Sequence, residues 1–386
     1  MAEGLGMMEV LATIIFGTAY VYWVLLQLPK GLIRFLALLP LLAVYALLPW
    51  RAATAHAKFL LSFFLVWMCA FKFLLICWDA GTATDSAAME SFPRFFVAIN
   101  FPFGVPSSNG SALKGKGPSA DGPISSKEVS QVARAVLLRS ALKILLLLPF
   151  YRFYDFRDSF PVLVVYTMYA FHIYLGCSVL FEGLAALGSL MVGLRFLECY
   201  DRPYLAGSLS EFWGRRWNQL VCSVLRASVY EPVRHFTSKG PVKVPIMNER
   251  KQIQEEKMTE RKQERFDVMP KILATLAVFL VSGLMHDVIF FYLSRRVSWH
   301  ATAFFVLQGV ATVLEAAIRI AWPGRPKLPK FLAVILTISF VFCSAVWLFF
   351  PALCSSEGDL RIIQEFNEAQ AWILFKLKSF LNSRFL

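Results

Sequence analysis

The sequence predicts an all-α, multi-pass integral membrane protein, and three observations carry that prediction. Of the 386 residues, 57% are hydrophobic and only 17% charged, with a mean hydropathy of +0.57, a balance outside that of soluble domains. Apolar runs of roughly 20 residues recur along the chain, the length a helix needs to cross about 30 Å of hydrocarbon. The aromatic share is 15%, with 36 Phe and 10 Trp, which suits rings that face acyl chains and rings that sit at the headgroup level.

Because only hydrogen-bonded helices or closed barrels satisfy the backbone in lipid, each run is read as a helix. Spans are expected at about 8–28, 32–50, 59–78, 135–150, 160–194, 271–294, 300–322 and 330–353. The first run has no basic residues before it and is too long for a cleavable leader, so it is expected to remain as a helix. The run 160–194 would be about 52 Å long at 1.5 Å per residue. It should tilt, break or extend beyond the bilayer, with Gly183, Gly188 and Gly193 as places for an irregularity. A final run, 371–386, contains Lys376, Lys378 and Arg384 and reads as a short span or an interfacial helix. The expected total is about eight or nine spans.

The whole chain, 1–386, reads as a single membrane-embedded domain with two polar interruptions. Residues 79–134 include the Gly/Pro/Ser-rich run 106–118 and read as a flexible polar loop. Residues 195–270 alternate Arg and Lys with Glu and read as a basic cytoplasmic segment containing an amphipathic helix. Alternating the spans outward from that segment puts Lys30 and Arg34 on the cytoplasmic side, whereas Arg51 and Lys58 fall on the other. The sequon Asn109-Gly110-Ser111 then faces the cytoplasm and stays unmodified.

The net charge of +13 and pI near 9.5 come with no basic, aromatic-studded soluble module, so nucleic acid is not expected as a partner. The excess suits the positive-inside bias, anionic membrane lipids or an anionic cosubstrate. None of the seven cysteines forms a CxxC pair or a Cys/His cluster with metal-ligand spacing, so neither a disulfide framework nor a metal is expected.

Two segments hold residues suited to chemistry. In the first, Ser208 followed by Glu211 has the form of a capping box, which predicts a helix start. At 3.6 residues per turn Glu211, Arg215, Asn218 and Cys222 line one stripe, and Trp213, Trp217, Leu220 and Val224 another. Such a helix can lie in the interface with Trp at the headgroups, or it can place Asn218 in a protein-lined cavity with arginines near an anionic cosubstrate. Periodicity alone leaves both open.

The second segment is Val281-Ser282-Gly283-Leu284-Met285-His286-Asp287-Val288-Ile289, inside an apolar run. A His-Asp pair in hydrocarbon is costly and is expected to face a polar cavity. Adjacent helix positions point about 100° apart, so Asp287 is not expected to orient the His286 ring. His286 is a candidate general base; the alternative is a packing histidine bonded to a neighbouring carbonyl. Glu315 and Arg319 are expected to pair at i,i+4, Lys72 and Lys143 to snorkel, and His172 and Glu182 to line a cavity. The chain lacks HxxxD, HxxxxD, a Walker A lysine motif and a GxSxG elbow, which weakens ATP-driven transport and serine hydrolysis.

The combination of Ser208-Leu209-Ser210-Glu211-Phe212-Trp213-Gly214-Arg215-Arg216-Trp217-Asn218 with Leu284-Met285-His286-Asp287 resembles the plant wax synthase branch of the membrane-bound O-acyltransferase superfamily. That branch also includes plant sterol acyltransferases and diacylglycerol acetyltransferases. Leu28-Pro29-Lys30-Gly31 and Phe71-Lys72-Phe73-Leu74-Leu75 look similar to it as well. The resemblance implies a reaction chamber reached by acyl-CoA from the cytoplasm and by a lipophilic alcohol from the bilayer, in the endoplasmic reticulum. It implies His286 and Asn218 as catalytic residues. Beside them Arg215, Arg216, Trp217 and Asp287 are the expected substrate-binding residues, with the arginines suited either to CoA phosphates or to snorkelling toward lipid headgroups. The acceptor is expected to be a long-chain alcohol, with a sterol or diacylglycerol acceptor, or an acetyl donor, as variants of the same chemistry. No cofactor is expected beyond acyl-CoA as cosubstrate. A transporter or receptor that relays protons through His286 and Asp287 is the reading from a different class. Oligomeric state is left open.

Overall fold

A computed structural model describes residues 6–81, 86–101, 126–193, 199–238, 268–324, 326, 328–354 and 358–385. The expected sequon at Asn109, the run 106–118 and most of the basic stretch before residue 268 lie outside these residues. Among the described residues the chain is built from helices, without strands. They are α1 (Met7–Trp23), α2 (Leu32–Arg51), α3 (Ala55–Cys77), α4 (Phe92–Asn100), α5 (Ser126–Tyr154), α6 (Val162–Val192), α7 (219–237), α8 (Val268–Ser294), α9 (His300–Ala321), α10 (Lys330–Cys354) and α11 (Gly358–Phe385). A shorter helical stretch, 209–216, precedes α7.

Among the described residues, seven helices are long and apolar enough to cross a membrane, against the eight or nine expected: α1 with its extension to Gln27, α2, α3, α6, α8, α9 and α10. The expected span at 135–150 is the second half of α5, whose first half carries Lys127, Glu128, Arg134 and Arg139. The run 371–386 falls in α11, which starts at Gly358 as a polar helix. α6 is unbroken through Gly183 and Gly188 and ends at Gly193, whose φ of 67° caps it in the left-handed region that glycine favours. At 31 residues it is about 46 Å long, more than the hydrocarbon thickness, so it tilts or projects.

Intramembrane charges are tied down internally. Lys72 does not snorkel: it is buried and donates to the carbonyls of Ala98, Ile99 and Phe101 at 2.7, 3.1 and 2.8 Å. These carbonyls end α4 and have no further helical turn to bond to. Lys143 does not snorkel either, because its ammonium meets Glu182 Oε1 at 2.5 Å and Ser178 Oγ at 2.6 Å. That contact pins α5 to α6 and takes up one oxygen of the expected cavity residue Glu182. His172 meets the Tyr154 hydroxyl at 3.1 Å. At the end of the chain, Glu365 of α11 accepts from the backbone N–H groups of Ala55 and His56 and meets His56 Nδ1 at 2.8 Å, capping α3.

α8 and α9 form a tight antiparallel hairpin. A Cβ on Gly283 would stand 2.6 Å from Thr302 Cα, and one on Gly309 would stand 2.9 Å from Phe279 Cβ. Small residues at both crossings let the two helices approach closely, as membrane helix pairs require. Asp287 Oδ2 closes the hairpin by accepting from the Thr302 N–H at 3.0 Å and its hydroxyl at 2.5 Å. The carboxylate therefore sits at the positive N-terminus of α9.

Candidate active site

The segment leading to Asn218 starts as the capping box predicts. Ser208 Oγ accepts from the Glu211 N–H at 3.1 Å, while the Glu211 carboxylate reaches back to the Gly207 N–H at 2.8 Å. Glu315 of α9 accepts from the Leu209 N–H at 2.8 Å and also pairs with Arg319, the partner its spacing implied. One carboxylate thus fastens this helix start to α9.

The single amphipathic helix expected here does not form. The turn Phe212–Arg216 is π-helical, Trp217 is extended, and Asn218 adopts φ 42°, ψ 68° before α7 begins. Asn is among the few residues that accept this left-handed region, and its Oδ1 caps α7 by accepting from the Val221 N–H at 3.2 Å. The break folds Trp217 onto Phe212, with ring centroids 5.5 Å apart and planes within 14°. The stripe through Glu211, Arg215, Asn218 and Cys222 is therefore interrupted. Periodicity missed the break because it presumes a uniform helix.

The two neighbouring arginines separate. Arg216 donates through Nε and Nη2 to Glu211 Oε1 at 2.8 and 2.7 Å and through Nη1 to the Asp201 carbonyl at 2.9 Å. Burial pushes the Glu211 carboxyl upward, but its bonds from Gly207 and Arg216 outweigh this and hold it below its ordinary range. With its donors so occupied, Arg216 ties the segment together rather than offering a free cation to a substrate. Arg215 is exposed and has no ion pair among the described residues.

His286 lies on α8 in an aromatic setting. Its ring stacks on Phe305 of α9 at 4.4 Å and meets Trp67 of α3 and Phe349 of α10 edge to face at 5.2 and 5.9 Å. Its Nδ1 lies 2.7 Å from the Ser282 carbonyl, one turn earlier. A carbonyl only accepts, so Nδ1 carries the proton, and the neutral ring presents its lone pair at Nε2. Nε2 makes no hydrogen bond among the described residues. The bond to a backbone carbonyl is the one a packing histidine would make, and it is also the bond that prepares a general base. Asp287 does not orient the ring, as the helix geometry predicts; its Oδ2 is committed to Thr302 and fixes the hairpin, while its Oδ1 is buried without a hydrogen-bond partner among the described residues.

No hydrogen bond joins Asn218 to His286. The regions around them share one core, in which Leu220 and Val221 beside Asn218 pack with Met285 and Ile289 around His286. A ring relay connects the two segments more directly. Phe305, stacked on His286, lies 5.6 Å from Trp213, whose Nε1 donates to Gln308 at 3.1 Å. Gln308 is fully buried and donates in turn to Ser344 at 2.7 Å.

A further pattern centres on His286. The described residues contain four π-helical stretches: Ser62–Cys69, Phe212–Arg216, Arg226–Tyr230 and Ala345–Phe349. The first contributes Trp67 and the last Phe349, both against the His286 ring. The second contributes Trp213, one ring removed through Phe305, and the third contributes Val229 to the core shared with Met285 and Ile289. Such bulges gather at functional sites, where they re-aim side chains. The sequence reading did not single out Trp67, Phe305, Gln308 or Phe349, since in a chain with 36 Phe and 10 Trp no ring stands out.

A bundle of membrane-crossing helices that closes around a histidine with one free nitrogen has the architecture of an integral-membrane enzyme. Residues 197–307, a stretch that includes both Asn218 and His286, match the model of the membrane bound O-acyl transferase family. The chain is 33% identical to the long-chain-alcohol O-fatty-acyltransferase of Simmondsia chinensis over 87% of its own length and 86% of that protein's. It is 31% identical to a probable long-chain-alcohol O-fatty-acyltransferase 2 of Arabidopsis thaliana, over 93% of each. It is 30% identical to the acyl-CoA–sterol O-acyltransferase 1 of that plant, over 88% of this chain and 87% of the relative. The chain belongs to the membrane-bound O-acyltransferase family, on its plant wax synthase branch. It is an integral-membrane O-acyltransferase that takes an acyl donor and an alcohol acceptor.

Proposed function

We propose that the enzyme transfers an acyl group from acyl-CoA to the hydroxyl of a long-chain alcohol, giving a wax ester, in the membrane of the endoplasmic reticulum. The observation that supports this mechanism best is the His286 ring, protonated at Nδ1 toward Ser282 and open at Nε2. Nε2 accepts the alcohol proton as the alcohol oxygen attacks the thioester carbonyl. The carbon–sulfur bond then breaks, and the CoA thiolate recovers a proton from His286 to leave as free CoA. Asn218 Nδ2, unbonded among the described residues, donates to the carbonyl oxygen as negative charge develops there.

The remaining roles follow from position. Arg215 attracts CoA phosphates, and Trp217, packed on Phe212 and on Tyr200 at 5.3 Å, walls the segment that holds Asn218. The whole chain, 1–386, acts as one membrane-embedded domain with residues 195–270 on the cytoplasmic side, where acyl-CoA is found, and no cofactor beyond it takes part. The long-chain alcohol is preferred as acceptor because the relatives from Simmondsia chinensis and Arabidopsis thaliana are named for that reaction. The sterol relative makes a sterol the second acceptor to test.

The test is ester formation by microsomes bearing wild type or His286→Ala, supplied with labelled acyl-CoA and with fatty alcohol, sterol or diacylglycerol. Wax ester made by wild type and lost in His286→Ala at equal expression is the expected result. Full activity in His286→Ala removes His286 as the base, and sterol ester as the dominant product changes the acceptor.

A further inference from the structure

Asn218 and His286 stand on different elements and share no hydrogen bond among the described residues, so their spacing is held by what surrounds them. Groups that act on one substrate need to stay within about 0.5 Å of the productive arrangement, held by neighbours that are themselves locked. The stretch 209–216 that leads to Asn218 is fastened to α9 at two points. Glu315 accepts from the Leu209 N–H at 2.8 Å, and Gln308 Oε1 accepts from the Trp213 indole N–H at 3.1 Å. Together these contacts set the register of the stretch on α9.

Gln308 is the contact that reaches both sides of the site. On α9 it lies one turn from Phe305, which stacks on His286 with ring centroids 4.4 Å apart. Its partner Trp213 is bound to the Asn218 turn through Cys222. The Cys222 Sγ donates to the Trp213 carbonyl at 2.9 Å, and the Cys222 N–H donates to the Asn218 carbonyl at 3.2 Å. A short path of bonds therefore runs from Gln308 through Trp213 and Cys222 to Asn218. The amide is fully buried, and its partners assign its two ends. An indole N–H only donates, so Oε1 faces Trp213. Nε2 then donates to Ser344 Oγ at 2.7 Å, and the Ser344 hydroxyl gives its own proton to the carbonyls of Phe340 or Val341 at 2.7 and 3.0 Å. A carboxylate at this position has no proton for Ser344, and an apolar side chain has no oxygen for Trp213.

We propose that Gln308 is a positioning residue for acyl transfer, which sets Asn218 relative to His286 by holding the Trp213 indole. The inference rests on the acyl-transfer reading above, in which Asn218 Nδ2 donates to the developing oxyanion. Gln308 touches no reacting atom; it acts through the placement of Asn218, where a misplacement of about 1 Å costs on the order of 100-fold in rate. A buried amide on a membrane-crossing helix carries a desolvation cost that apolar packing avoids, and the register it imposes on the Asn218 segment accounts for its presence.

The test is a double-mutant cycle in detergent-purified full-length enzyme, with rates expressed per folded molecule. Gln308→Met keeps the length of the side chain and removes both hydrogen bonds. It is expected to lower kcat by about 10- to 100-fold and to leave the KM values for acyl-CoA and alcohol unchanged. In the Asn218→Asp background the same substitution should change kcat by no more than about 2-fold, because the group that Gln308 positions is already gone. Trp213→Phe removes the donor and keeps a ring, and it carries the same cycle where Gln308→Met fails to fold. Wild-type kcat in Gln308→Met overturns the proposal. So does an equal loss in both backgrounds, which is what a merely structural role gives, and so does wild-type kcat in Asn218→Asp. If wild type itself makes no ester, the acyl-transfer reading fails; if wild type is active, His286→Ala is dead and Gln308→Met is unaffected, only the role of Gln308 fails.

Discussion

Gly283 and Thr302 meet so closely that a Cβ on Gly283 would lie 2.6 Å from Thr302 Cα and 3.3 Å from Phe305 Cβ. The first obstacle is backbone and has no rotamer to escape into. Gly283→Ala therefore pushes α9 away from α8, strains the two bonds from Thr302 to Asp287, and shifts Phe305 off the His286 ring. Overpacking of this kind costs about 1–3 kcal/mol. The expected outcome is a lower thermal midpoint together with a loss of ester formation per folded molecule. Gly309→Ala would bring a Cβ to 2.9 Å from Phe279 Cβ, an atom that no rotamer moves, and should lower the thermal midpoint in the same way at the other crossing of the hairpin. A Gly283→Ala enzyme with wild-type midpoint and rate would show that the hairpin has slack at this crossing.

Arg215 and Arg216 are neighbours in sequence with opposite surroundings, so their alanine variants should fail in different ways. Arg215→Ala removes an exposed cation and is expected to raise the KM for acyl-CoA severalfold, with kcat and thermal midpoint preserved. High salt should erase that difference by screening the phosphates. Arg216→Ala strips Glu211 of its partner and frees two backbone carbonyls, and is expected to cost about 1–2 kcal/mol of stability. Steady-state kinetics and thermal unfolding on the same preparations separate the two. Equal loss of stability in both variants would mean that Arg215 is also structural.

The Glu211–Arg216 contact should also leave a mark on stability as a function of pH. A carboxyl held below its unfolded value contributes stability above that value, and the contribution fades as pH falls through the folded one. With an ordinary value of 4.5 for Glu211, the midpoint of Glu211→Gln should lie below wild type at pH 7, and the gap should narrow as pH falls below 4.5 and close once pH is below the lower folded value. A gap of constant size from pH 4 to 8 would show that shape and hydrogen bonding, rather than charge, account for the contribution of Glu211.

Much of the architecture was legible because lipid simplifies the problem: a run such as 271–294 or 300–322 has only a helix available to it. The capping box at Ser208 was legible because it is local, and so was the Glu315–Arg319 pair. Lys72 and Lys143 were misread because snorkelling is inferred from one helix alone, whereas their partners, the α4 carbonyls and Glu182, lie on other helices. The break at Trp217 and Asn218 was hidden for a related reason, since the Phe212–Trp217 stack that accompanies it has no signature in hydrophobic periodicity. His286 stood out as a titratable group in hydrocarbon. The rings that surround it come from α3, α9 and α10 and could be found only once those helices were packed.

Asn218 offers the sharpest division between folding and chemistry, because its two side-chain atoms do different work. Oδ1 caps α7 through the Val221 N–H, and the backbone sits at φ 42°. Asn218→Ala would lose the cap, worth about 1 kcal/mol, and would force a left-handed alanine at a further cost of about 1–2 kcal/mol. Inactivity in that variant would therefore prove little. Asn218→Asp retains an oxygen for the cap and a residue type that tolerates the left-handed backbone, while exchanging the Nδ2 donor for an acceptor. If Nδ2 stabilises the developing oxyanion, Asn218→Asp should keep a thermal midpoint close to wild type and lose about 100-fold or more in kcat. A stable Asn218→Asp enzyme with wild-type kcat would reduce Asn218 to a helix cap and leave the oxyanion to another donor.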